Sequence, residues 1–177
     1  MNTTRSEFQK RMSEINVYFE TLAMLDRGVC RIVSQTLTGE EEIMPIDSEL
    51  SKILKANGFV LLYNLIESTV RKSIDAILNV VKDEGLTYGD LSDKLKKLWI
   101  KQEVKSINAN EACIRVLDIA ESVLNNELLL LKQECINISG NIDAQKIREI
   151  AQMVGYDEPK DGAALKTIKD KRNHLAH

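Results

Sequence analysis

The sequence predicts an all-α protein, and three features of it carry that expectation. Only 8 Gly and 2 Pro interrupt 177 residues, aromatic residues make up 5%, and apolar positions recur every three or four residues over long stretches. Few helix breakers combined with a 3.6-residue apolar period is the pattern of amphipathic helices packed on one another. With 44% hydrophobic and 29% charged residues there is enough apolar material for a core, so residues 1–177 are expected to form one globular domain.

The elements follow in order. From about Ser6 to Ser34, Phe8, Met12, Ile15, Phe19, Leu22, Leu25, Val29 and Val33 keep the helical spacing, and Ser6 with Gln9 reads as a capping box. Thr38 to Asp47, with Gly39 and Pro45, reads as a loop. A second long helix is expected from Ser48 to Glu84, stopped by Gly85, with Leu50, Ile53, Leu54, Leu61, Leu65, Val70, Ile74, Ile77 and Val81 turned to the core. A third, Tyr88 to Ile107, carries Leu91, Leu95, Leu98 and Val104; a fourth, Ala109 to Cys135, carries Ala112, Val116, Ile119, Val123, Leu128 and Leu131. A short helix from Ala144 to Val154 ends at Gly155, and a last helix begins near Ala163. Several helices with short connectors make a bundle.

Composition excludes several function classes. No stretch approaches the eighteen uncharged apolar residues of a membrane span, and the N-terminus lacks the apolar run of a signal peptide. Cys30, Cys113 and Cys135 lie far apart and form no Cys-x-x-Cys pair, which speaks against a disulfide framework and a zinc site and fits a reducing cytoplasm. No phosphate-binding glycine loop occurs, and no cofactor or metal is expected. Net charge is −3, so any contact with nucleic acid has to be local.

Both histidines fall in the terminal stretch KTIKDKRNHLAH. At about 100° per residue, Ala164, Leu165, Ile168, Leu175 and Ala176 gather on one side of the last helix. Arg172 lies inside that stripe, Asn173 and His177 flank one edge, and His174 points roughly opposite. A desolvated guanidinium has to find a partner. Two readings stay open at this point, a structural ion pair and a residue lining a crevice.

Arg172 to His177, RNHLAH, resembles the Arg-x4-His signature of HEPN domains, small helical bundles of which many are ribonucleases. The stretches KDKRNHLAH, FVLLYNLIESTVRKSIDAI and SGNIDAQKIREIA look like a prokaryotic branch found in toxin-antitoxin and phage-defence loci. The resemblance implies a HEPN-like bundle with two long antiparallel helices, shorter helices and the motif on the last helix. It further implies a metal-independent endoribonuclease, a homodimer with a composite cleft, and an antitoxin or defence-system protein as partner. Arg172 and His177 are then the catalytic pair, with Asn173, His174, Glu67 and Arg71 supporting the site or binding RNA. In such domains the motif lies inside a helix followed by more protein, so truncation after His177 is an open reading.

The residue types suit this chemistry. An imidazole with a pKa near about 6.5 can take a proton from a ribose 2′-OH or give one to a leaving 5′-oxygen, and a guanidinium can hold the phosphate between them. Glu67 and Arg71 stand four apart, either as a local ion pair or with Glu67 turned toward the last helix; Tyr63 and Asn64, one turn earlier, are candidates for the same cleft. Lys94, Lys96, Lys97, Lys101 and Lys105 with Trp99 are either a solvated helix face or an RNA-binding surface with one stacking aromatic. The rival to the enzyme is a non-catalytic module that keeps the scaffold and binds RNA, nucleotide or protein.

Overall fold

A computed structural model describes residues 2–27, 31–36, 38–105, 107–108, 110–136, 138, 142–158 and 161–175. The chain is mostly helical, with α1 Asn2–Asp26, α2 Ser48–Asp83, α3 Asp93–Val104, α4 Ala112–Leu124, α5 Ala144–Val154 and α6 Ala163–Leu175. Two short strands, β1 Arg31–Gln35 and β2 Glu41–Pro45, form an antiparallel hairpin. None of the described helices is long and apolar enough to cross a membrane. The chain divides into two compact units, Asn2–Ile66 with Lys166–His177, and Glu67–Leu165.

In the first unit α1 lies against the first half of α2. The Tyr18 hydroxyl donates to the Leu54 carbonyl, Lys55 pairs with Asp26 at 2.7 Å, and Ile15 and Leu22 are buried. Gly58 permits the approach, since a Cβ there would stand 3.1 Å from the Phe19 ring. Tyr18 meets α2 at Leu54, Phe19 at Gly58 and Asp26 at Lys55, so the second half of α1 lies along the first turns of α2.

Helix α1 stops earlier than the apolar spacing implies. Val29 lies outside the described residues, and Val33 belongs to β1, where it is exposed. The reason is non-local: Ile32 and Val33 are β-branched, and pairing with Met44 and Ile43 gives them a ladder that the helical period cannot reveal. The segment read as a loop accordingly contains β2. Ser6 lies within α1 and is no cap.

In the second unit Val81, Leu91, Trp99 and Leu129 form a buried cluster, with Leu86, Tyr88, Leu95, Ile100, Ile119, Val123 and Leu131 packed around it. The expected third helix begins at Asp93, where the Ser92 hydroxyl accepts from the Leu95 N–H, and a 3-10 turn at Tyr88–Asp90 precedes it. The Asp90 carboxylate accepts from the N–H and the hydroxyl of Thr87, and these bonds hold its pKa below the ordinary carboxylate value. The expected fourth helix ends at Leu124 instead of Cys135, and Asn126 has a φ of 51°. Leu129 is then buried from an extended segment, donating to the Leu86 carbonyl, while Val116 and Leu128 are exposed. A short apolar run serves either conformation, and here the pairing with Leu86 selects the extended one. Helix α5 runs as expected, capped by the Asp143 side chain and closed by left-handed Gly155 at φ 99°.

Ile74, about three quarters of the way along α2, is 0% exposed. Ile74→Ala is expected to cost about 2–5 kcal/mol, measured as a lower urea midpoint at unchanged slope, because a close-packed interior collapses only partly around a cavity.

Candidate functional site

The last helix starts where two backbones touch. The Asp161 carboxylate accepts from the Ala163 N–H at 3.1 Å. A Cβ on Gly162 would lie 2.1 Å from that of Ala144, so only glycine lets this turn sit against the start of α5. From there Leu165, Ile168, Lys169, Arg172 and Asn173 are half-buried, and Ala164, Lys166, Thr167, Asp170, Lys171 and His174 are exposed. The wheel therefore placed Leu165, Ile168, Arg172 and His174 correctly, and Ala164 on the wrong side. The side chain of Leu175, and Ala176 and His177 altogether, lie outside the described residues.

What meets the arginine is an aromatic face. Arg172 Cζ stands 3.9 Å from the centroid of the Tyr63 ring, and Tyr63 is 2% exposed. The Arg172 Nε is buried. A guanidinium stacked on a desolvated ring is attracted by the ring quadrupole, by about 2 kcal/mol when solvent is excluded. A lysine in the same place would keep the charge but lack the planar, delocalised fork. Asn173 shares the half-buried side, whereas Asn64, next to Tyr63, is exposed.

Glu67 and Arg71 form the local ion pair. Glu67 Oε1 accepts from Arg71 Nη2 at 2.8 Å and from Nε at 3.1 Å, and Nη2 also donates to the Ile138 carbonyl at 2.6 Å. With side chains 41% and 24% exposed the pair itself contributes about 0.3–0.5 kcal/mol, so its weight lies in holding the segment at Ile138 against α2. These bonds all lie within the unit formed by Glu67–Leu165.

The basic face of α3 lacks the stacking aromatic. Lys94, Lys97, Lys101 and Lys105 are exposed, but Trp99 is buried edge-to-face on Tyr88 at 5.5 Å, and Lys96 lies over the Tyr88 ring. Beside Trp99 an open cleft of about 280 Å³ is lined by Gln102, Ser122, Glu127 and Leu128 among others. Gln102 works there like a strand: its Nε2 donates to the Leu130 carbonyl, and its Oε1 accepts from the Lys132 N–H and the Cys135 thiol. Burial pushes the Cys135 thiol above its ordinary pKa. Nothing in the sequence singled out Gln102, whose value depends on backbone brought to it from far along the chain. Among the described residues no group of three or more His, Cys, Asp or Glu is placed to hold a metal ion.

A family model described as MAE_28990-like HEPN matches residues 2–177. No curated protein and no solved structure matches the chain.

Proposed function

This chain belongs to the HEPN family, and on that premise we propose that it is a metal-independent endoribonuclease with Arg172 and His177 as its catalytic pair. The observation that carries the reading is the Arg172 guanidinium 3.9 Å from the centroid of the buried Tyr63 ring, at the head of an Arg-x4-His motif that begins on the last helix. Residues 1–177 act as one catalytic domain, a reading supported by a family match that runs almost end to end.

In the reaction the ribose 2′-oxygen attacks phosphorus and the bond to the 5′-oxygen breaks. One imidazole takes the 2′-OH proton as the P–O2′ bond forms, and a protonated imidazole gives one to the leaving 5′-oxygen. Arg172 offers its Nη edge to the non-bridging oxygens and offsets the charge that builds on the five-coordinate phosphorus. His177 of two copies supplies base and acid in a composite homodimer cleft. Asn173, on the same half-buried side as Arg172, orients the phosphate. His174, exposed on the outer face, is a minor contributor to RNA binding. Glu67 and Arg71 support the scaffold. The role in the cell is that of a toxin or phage-defence effector restrained by a protein partner, a reading that rests on the branch its motif stretches resemble.

The test is incubation of the purified chain with end-labelled RNA in excess EDTA, followed by mapping of the product ends. The expected products carry 2′,3′-cyclic phosphate and 5′-OH. Cleavage that EDTA abolishes, or 5′-phosphate ends, overturns the mechanism. RNA binding without cleavage gives the chain to the non-catalytic alternative.

A further inference from the structure

The exposed lysines of α3 fall in one line. At about 100° per residue, Lys94, Lys97, Lys101 and Lys105 lie within about 80° of one another, and neither acid of the helix, Asp93 or Glu103, falls between them. Lys105 follows the last helical residue but keeps helical angles, φ −60° and ψ −29°, so it continues the row. From Lys97 onward the lysines stand four residues apart, which is about 6 Å of rise each, and the whole row covers about 16 Å.

This row has no counter-charges. Lys52, Lys55, Arg71, Arg115 and Lys146 each pair with a carboxylate. Among the described residues no carboxylate stands within ion-pair distance of Lys94, Lys97, Lys101 or Lys105. Like charges four apart work against the helix that carries them, so the row is relieved by an anion with charges in a line. In a chain of net charge −3 this is a local positive field, and it is built for charge alone. Trp99 is 5% exposed and packed on Tyr88, so no ring of this helix is presented for a base to stack on.

We infer that the α3 row binds an RNA strand by its phosphates, as a second RNA contact in addition to the Arg172 motif. A phosphodiester strand carries one negative charge per nucleotide in a line, and lysine meets each as a flexible point charge. Contacts of that kind hold and position the strand without reading its sequence. The inference rests on the reading of RNA as the substrate, and it assigns the holding of that substrate to a surface the cleavage chemistry does not use.

The experiment is fluorescence anisotropy of a labelled 2′-O-methyl oligouridine of about 12 nucleotides, within the site sizes of single-strand binders, titrated with the full chain. Methylation removes the attacking hydroxyl, so binding is read whether or not the chain cleaves. Four contacts to a single strand contribute about −2.8 to the slope of log affinity against log salt, so from about 50 to 200 mM salt wild type is expected to lose about 50-fold more affinity than the quadruple variant Lys94→Gln, Lys97→Gln, Lys101→Gln, Lys105→Gln. The same loss of slope is expected with oligoadenosine, and Lys→Arg at all four positions is expected to keep the wild-type slope. Arg5→Gln, Lys10→Gln, Lys52→Gln and Lys55→Gln together remove the same charge from exposed positions of the other unit and are expected to leave the slope unchanged. Circular dichroism checks that each variant is folded. An unchanged slope in the α3 variant, an equal change in the control, a loss confined to one base, or wild-type binding to phosphatidylserine vesicles but not to the strand overturns the proposal. Wild-type cleavage with an unchanged slope in the α3 variant removes this site and leaves the Arg172 mechanism standing; the expected loss of slope without any cleavage keeps the site and removes the mechanism.

Discussion

Arg172→Ala is expected to lower RNA cleavage by about 10²–10³-fold while the chain stays folded. In the proposed mechanism the guanidinium meets the charge that develops on the phosphate, and it stands 3.9 Å from the centroid of the Tyr63 ring. Arg172→Lys keeps the charge but loses the planar fork and the stack, so it is expected to fall between wild type and alanine. Single-turnover cleavage in EDTA, with circular dichroism alongside, measures both. An Arg172→Ala protein that cleaves at the wild-type rate removes the arginine from the mechanism and leaves it a packing role.

Tyr63 separates positioning from stability. Tyr63→Ala takes a ring that is 2% exposed out of the interior and is expected to destabilise the chain by about 3–5 kcal/mol, the usual range for an aromatic cut to alanine in a core. Tyr63→Leu refills most of the volume with an apolar group, so it is expected to fold with a smaller loss, yet it removes the aromatic face beneath Arg172. Cleavage is expected to fall markedly in the leucine variant and to stay within a few-fold of wild type in Tyr63→Phe, which keeps the ring. Urea unfolding and cleavage rates read the two effects separately. Equal activity in the leucine and wild-type proteins shows that the stack is structural only.

How far the sequence could be read depended on how local each determinant was. Helix α5 was legible to the residue, because the Asp143 cap and left-handed Gly155 act within one turn of the elements they bound. The inward turn of Arg172 was legible for the same reason: Leu165 and Ile168 set the buried side of α6, and an arginine four residues after Ile168 has to share it. The hairpin was not legible as such. Val29 and Val33 continue the three-to-four spacing of α1, and only the partners Met44 and Ile43 convert Ile32 and Val33 into a strand. The end of α4 was misread likewise, since the leucines after Asn126 satisfy a helical period until the Leu86 carbonyl claims the Leu129 N–H.

The sequence by itself determined the mostly helical class, the span of α2, the bounds of α5 and the face on which Arg172 lies, because helical period and caps act between residues a turn or less apart. Only the tertiary structure decided that Arg172 stacks on Tyr63, that Arg71 donates to the Ile138 carbonyl, and that the residues after α1 pair as strands. Each of these joins side chains or backbone groups distant along the chain. Their free energy arises from desolvation and pairing that no local pattern records.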